Sequence, residues 1–458
     1  MSNLKSLMNS RSIAAFVMAI IFMFLIYFLG FQTPRTSFNQ FILLYLAAFA
    51  LFYMLWLNRQ EWNFKMFLAI AVISRLILLF SVPELSNDFY RFVWDGELIT
   101  RGVNPYAHLP NELISHGPIF TDQYMRMLYH GMGDLSQQHY TCYPVFNELL
   151  FYISASLSDS IMFNVIALKV IVILADIGII YIGRKILKLI NLPEHKIWLY
   201  ALNPFVLLEF AGNIHFEGVM IFFFLLGIYY LLIDKFIFGG IFFGLAIQVK
   251  LIPLLLIPFV FKRIKWKRSL GYTATTAIVV LLLGQMMLLP KFFDNFMTSI
   301  GLYTQNFEFN ASIFYLFREL GFATVGYDQI AFYGPLLSKI ALAGIALLAI
   351  LRTVKDEISI FSGMLFALVI YYALATTIHP WYIAMILILS VFTRYKFGLI
   401  WSMLVMFSYS AYAKNAYQED TLLIVIEYSL LYLVMIYEIV RSTTKKDFGL
   451  QLKSFFSD

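Results

Sequence analysis

Residues 66–106, MFLAIAVISRLILLFSVPELSNDFYRFVWDGELITRGVNPY, pass directly from an apolar run to a segment with six formal charges: Glu84, Asp88, Arg91, Asp95, Glu97 and Arg101. The apolar run reads as a membrane helix, so the charges behind it sit at the membrane boundary. The rest of the chain supports that reading. Of 458 residues, 61% are hydrophobic and 13% charged, with a mean hydropathy of +0.78, against about 25% charge in an average globular chain. This composition excludes a soluble globular protein and indicates an all-α polytopic membrane protein.

Membrane helices need about 20 apolar residues, and such spans lie near 13–31, 41–57, 66–82, 161–183, 216–233, 269–289, 336–351, 358–378, 397–413 and 420–440. Shorter apolar pieces lie near 197–210, 237–249, 251–261 and 381–393. The first span follows Arg11 and lacks a small-x-small cleavage site, so it reads as a retained anchor. The net charge of +6 calls for no nucleic-acid partner, because Lys and Arg bias is how membrane proteins set their orientation. With the N-terminus in the cytoplasm and all fourteen pieces crossing, cytoplasmic segments hold 22 of the 33 Lys and Arg, and the opposite side holds 8. The long polar loops 83–160 and 290–335 then both face away from the cytoplasm. The single cysteine, Cys142, excludes an intrachain disulfide and a Cys-based zinc site. The chain reads as one membrane domain without low-complexity tracts, heptads or inverted repeats. That weakens a transporter reading, since many transporters are built from repeats.

Within the first loop, DFYRFVWDGELITR followed by Gly102 and Pro105 predicts a short helix along the membrane surface, with Phe89 and Phe92 dipping into lipid or protein. Asp88, Arg91 and Asp95 are spaced i, i+3, i+7 and share a face. A carboxylate pair around an arginine at the boundary can act on a lipid headgroup. The structural alternative is that Asp88 caps the helix and Asp95 merely pairs with Arg91.

Three further polar stretches fall on the same face. AGNIHFEG puts His215 and Glu217 in a tight turn, GLAIQVKLIP puts Lys250 where two short apolar helices meet, and TTIHPWYIAM puts His379 before Pro380 with Trp381 and Tyr382 behind it. An unpaired charge at membrane depth costs about 2.5 kcal/mol or more, so Lys250 needs a counter-charge. An anionic phosphate would supply it, and so would Glu217 or Glu209. For the two histidines the alternative is a hydrogen-bonded structural role, and for Trp381 and Tyr382 an aromatic belt. The loop histidines His108, His116, His130 and His139 show no metal-ligand spacing.

In order along the chain, NDFYRFVWDGELITRGVNPY (87–106), YPVFNELLF (143–151), GNIHFEG (212–218), GLAIQVKLIPLLLIPF (244–259), NFEFNASIF (306–314) and HPWYIAMIL (379–387) resemble the GT-C superfamily of membrane glycosyltransferases. Within it they are most similar to polyprenyl-phosphate-mannose-dependent mannosyltransferases related to the GPI mannosyltransferase catalytic subunit. The likeness covers about 84–395, and residues 1–60 look like an added N-terminal hairpin. The resemblance implies about 12–14 transmembrane helices, some short or broken, and a large non-cytoplasmic first loop that supplies the catalytic acid. It also implies an inverting transfer of a sugar, mannose by likeness, from a polyprenyl-phosphate donor to a lipid or glycan acceptor. No cofactor or metal is expected, and the site would face the periplasm or exterior of a bacterial inner membrane. Asp88 takes the catalytic role, with Asp95, Arg91 and Tyr90 supporting it. Lys250, His379, His215, Glu217, Trp381, Tyr382 and Asn310 take the donor phosphate and sugar. The chain departs from the family pattern in two places: Asn87-Asp88 stands where paired acids are usual, and Tyr143-Pro144-Val145 stands for Tyr-Pro-Pro. Two other readings stand beside this one, a lipid-linked-glycan flippase or transporter and a non-catalytic scaffold subunit.

Overall fold

A backbone N–H or C=O left unpaired in hydrocarbon costs several kcal/mol, so apolar runs cross membranes as helices. The computed structural model describes residues 10–116, 122–262, 266–285, 289–413 and 417–455. Six of its helices are long and apolar enough to cross: Ile13–Phe31, Phe38–Leu57, Ile161–Leu189, Ile330–Leu351, Glu357–Leu374 and Thr421–Ser442. The helices Pro204–Gly212 and Glu217–Leu232 meet at a 110° bend, as in a broken span or a re-entrant loop, and shorter apolar helices such as Phe236–Val249 and Pro380–Val391 complete the bundle. The chain is an all-α polytopic membrane protein. Among the described residues the β content is a single parallel bridge between Phe309 and Thr377.

The short helices decide where the polar residues end up. At 1.5 Å per residue, the 14 residues of Phe236–Val249 cover about 21 Å, less than the ~30 Å hydrocarbon core. Lys250, which follows it, therefore stops at membrane depth. The bend after Gly212 has a similar effect on His215 and Glu217. It follows a π-helical stretch, Leu207–Gly212, and places Ile214 at φ +64°, a conformation that β-branched residues rarely adopt. Asn213 holds the bend: its Nδ2 donates to the Leu208 carbonyl (3.0 Å), and its Oδ1 accepts from the Leu85 amide (3.1 Å). That second bond ties the bend to the start of the first loop.

Two charges inside the spans have structural partners. Arg75 donates to Asp176 (2.7 Å) and to the Ala71 and Ala201 carbonyls. Lys169 donates to the carbonyls of Leu78 and Ser81 and to the Ser81 hydroxyl. It thereby satisfies the end of the Phe64–Leu78 helix and fixes where the first loop leaves it.

The loop helix forms at Asp88–Thr100 and stops before Gly102, whose φ of +74° suits glycine. Of lipid and protein, its apolar face meets protein. Phe92 stacks on Phe151 at 4.6 Å and sits edge-on to Tyr143 and Phe216. The helices Gln123–Gln137 and Val145–Ala155 cover it. Gly96 permits the approach, since a Cβ there would lie 2.5 Å from the Phe151 carbonyl oxygen.

Candidate functional site

The polar ends of these elements meet in one cavity of about 790 Å³. Its wall includes Asp88, Arg91, Glu217, Lys250, His379 and Trp381. These come from four separate segments of the chain.

Asp88 is the first residue of its helix, where the helix dipole favours negative charge. The N-cap is Asn87, which makes no side-chain capping bond, and the Asp88 amide bonds instead to the Ser86 hydroxyl (3.2 Å). The carboxylate is therefore not committed as the cap. Among the described residues it has no ion-pair partner within 4.0 Å. Burial pushes its pKa above the ordinary carboxylate value, against the pull of Lys250, the Ser86 hydroxyl and Arg35, while Glu217 adds to the rise.

Arg91 lines the cavity beside it but is engaged. Its Nε donates to both oxygens of Asp95 (2.8 and 2.9 Å), and its Nη1 to the Ser136 and His139 carbonyls (2.7 and 2.9 Å). Arg91 thus pins the returning limb of the loop. Asp95 is fully buried behind it and does not reach the cavity, so its role is to hold Arg91. Burial raises the Asp95 pKa although Arg91 opposes it. Tyr90, expected among the supporting residues, lies away from the cavity wall. Its ring packs on Phe89 at 4.1 Å and over Gly131.

Lys250 forms an ion pair with Glu217 at 2.9 Å and lies 5.3 Å above the Tyr143 ring. Of its two candidate acidic partners, Glu217 is the one it meets. Glu209 instead accepts from the Tyr409 hydroxyl (2.9 Å) and lies 3.2 Å from His215 Nε2. His215 is buried behind the wall, stacked under Trp381 at 3.6 Å; Trp381 stacks on His379 at 4.6 Å, and His379 on Phe309 at 5.0 Å. This ring column sets the orientation of His379. The Phe309–Thr377 bridge anchors it, with Ile378 donating to the Phe309 carbonyl (2.8 Å) and Thr377 Oγ1 to the Phe307 carbonyl (2.9 Å).

Asn310 also differs from its expected place. It is fully buried at φ +46°, and its amide side chain donates to Glu427, so it shapes the loop and does not face the cavity. Its neighbours Phe307 and Phe309 line the wall instead. The sequence reading also missed Arg35, Tyr409 and Tyr412, which line the cavity too. Arg35 had a signal, as the single basic residue in the short loop between the first two spans. The tyrosines had none among 29.

A family model described as "Alpha-(1->6)-mannopyranosyltransferase, N-terminal domain" matches residues 22–265. The chain is similar to alpha-(1->6)-mannopyranosyltransferase A of Corynebacterium glutamicum, at 22% identity over 40% of this chain and 36% of that protein. It is also similar to alpha-(1->6)-mannopyranosyltransferase B of the same organism, at 27% identity over 33% of this chain and 24% of that protein. The similar region thus spans about a third or less of each relative's length. No solved structure matches the chain.

Proposed function

The chain belongs to the alpha-(1->6)-mannopyranosyltransferase family, and on that premise we propose that it moves mannose from a polyprenyl-phosphate donor to a lipid or glycan acceptor. Asp88 is the general base. It takes the proton of the acceptor hydroxyl as that oxygen bonds to the sugar C1, a role typically worth 10²–10⁴-fold in rate. The C1–O bond to phosphate breaks with inversion, and its electrons pass to the departing polyprenyl phosphate. Lys250, with His379 beside it, stabilises the charge that grows there. For this Lys250 turns from Glu217 toward the phosphate, and Glu217 then compensates its charge in the resting state. Tyr382, on the cavity wall, offers its ring to the sugar or the first prenyl unit, while Trp381, stacked between His215 and His379, holds the ring column in place. The site faces the non-cytoplasmic side, where a nucleotide sugar is absent and a lipid-borne donor is required. The charge asymmetry along the chain supports that sidedness.

One observation carries the reading: an Asp88 carboxylate without an ion-pair partner among the described residues shares a cavity with the Lys250–Glu217 ion pair. The test is an assay of the purified full chain in lipid nanodiscs, with polyprenyl-phosphate mannose or a nucleotide mannose as donor and cell-envelope lipids as acceptors. Transfer from the lipid donor alone is expected. Transfer from the nucleotide donor, or from neither, would overturn the proposal.

A further inference from the structure

The cations on the cavity wall differ in how they are occupied. Lys250 is paired with Glu217, and Arg91 is spent on Asp95 and two carbonyls. Arg35 is different: among the described residues no carboxylate lies within 4.0 Å of it, and its guanidinium sits 4.8 Å over the Tyr412 ring. We infer that Arg35 is an anion-binding residue of this cavity and takes the phosphate of the lipid-borne donor. The inference rests on the donor chemistry proposed above.

Three features support this. A guanidinium held over a ring keeps N–H groups for oxygen, and its planar fork matches two phosphate oxygens. The loop that carries it is fixed at both ends, with Thr33 Oγ1 donating to the Phe28 carbonyl (2.9 Å) and Gln40 to the Gln32 carbonyl (3.1 Å). It also joins two full-length crossings, Ile13–Phe31 and Phe38–Leu57. Arg35 therefore sits where two crossings end, on the wall of the cavity that Lys250 also lines. The N-terminal hairpin, which looked like an addition to the catalytic unit, then belongs to the donor site.

The test compares the full chain with Arg35→Gln and Arg35→Lys in nanodiscs. It measures binding of polyprenyl phosphate, competition by inorganic phosphate, and, with polyprenyl-phosphate mannose, the KM for donor and for acceptor. Arg35→Gln should weaken polyprenyl-phosphate binding and raise the donor KM about tenfold, as expected for a lost charged hydrogen bond. The acceptor KM and the melting temperature should stay unchanged, and Arg35→Lys should fall between. Binding of inorganic phosphate that Arg35→Gln abolishes while polyprenyl-phosphate binding persists would assign the site to free phosphate and overturn the lipid assignment, as would a shift in acceptor KM alone. The binding arm needs no turnover. Arg35-dependent lipid binding in a chain that transfers no sugar would uphold this inference while removing the proposed reaction. Failure of the unsubstituted chain to bind polyprenyl phosphate would remove both.

Discussion

Two ion pairs are buried in the same helix bundle, and they are built differently. Arg75–Asp176 is closed to the cavity: both side chains are fully buried, and the two carboxylate oxygens are taken by Arg75 and by the Tyr200 hydroxyl (2.7 Å each), while Arg75 Nη2 is buried without a hydrogen bond among the described residues. Lys250–Glu217 is open. The Lys250 side chain keeps 23% exposure on the cavity wall, and the second Glu217 oxygen is buried without a hydrogen bond. A closed pair in hydrocarbon fixes helix positions. An open pair leaves capacity for a third charged group, which is what a site for an anionic lipid requires.

Substitutions should separate the two. The largest effect is expected at the closed pair: Arg75→Leu strands the Asp176 charge and should lower stability by about 3–5 kcal/mol. Donor affinity per folded molecule should not change. Unfolding in detergent with a parallel binding assay measures both, and a variant as stable as the parent would break the contrast. At the open pair, Lys250→Gln should weaken polyprenyl-phosphate binding about tenfold with little change in melting temperature. Lys250→Arg should recover part of the loss, because a planar fork replaces a compact ammonium imperfectly. Lower stability with unchanged affinity would put Lys250 in the same class as Arg75.

The smallest effect is a pH shift. Burial raises the Asp88 pKa, and a base must be ionised to accept a proton, so kcat/KM should fall as pH drops through that raised value. The acid limb should lie above the ordinary aspartate value of about 3.9. Stability should run the other way. A carboxyl whose folded pKa is raised holds its proton more tightly when folded, so its contribution is present below the unfolded pKa and is lost as pH rises toward the folded one. An acid limb at or below the ordinary value would show that another group limits the rate.

The alternation of apolar spans and polar segments let the sequence indicate the membrane class, the loop helix and the common face of Asp88, Lys250 and His379. Periodicity and helix-stop residues are local signals, and they survive into the fold. What stayed hidden depends on packing between distant segments. Asp95 and Arg91 share a helix face with Asp88, yet the returning loop at Ser136 and His139 draws Arg91 into a clamp and buries Asp95. Asn310 sits in a motif beside the cavity, but its left-handed backbone turns it toward Glu427. The ring column from His215 to Phe309 runs through Trp381 and His379 and so joins three segments far apart in the chain, which no spacing reveals.

Labelling tests the outward-facing site that the Lys and Arg asymmetry supports. In a Cys142→Ser background, cysteines at Gln123, in the loop that precedes the crossing Ile161–Leu189, and at Lys188, near the far end of that crossing, should be labelled from opposite sides, with position 123 outside. Labelling of both from one side would remove the basis for an outward-facing site.

The most direct test of Asp88 as base is to compare Asp88→Asn with Asp95→Asn in the polyprenyl-phosphate mannose assay, with melting temperatures from the same preparations. Asp88→Asn keeps the size of the side chain but not its basicity. Turnover should fall by at least about 10² with folding intact, whereas Asp95→Asn should lower stability by loosening Arg91. Near-normal turnover in Asp88→Asn, with activity lost in a stable Asp95→Asn, would contradict the assignment and make Asp95 the base.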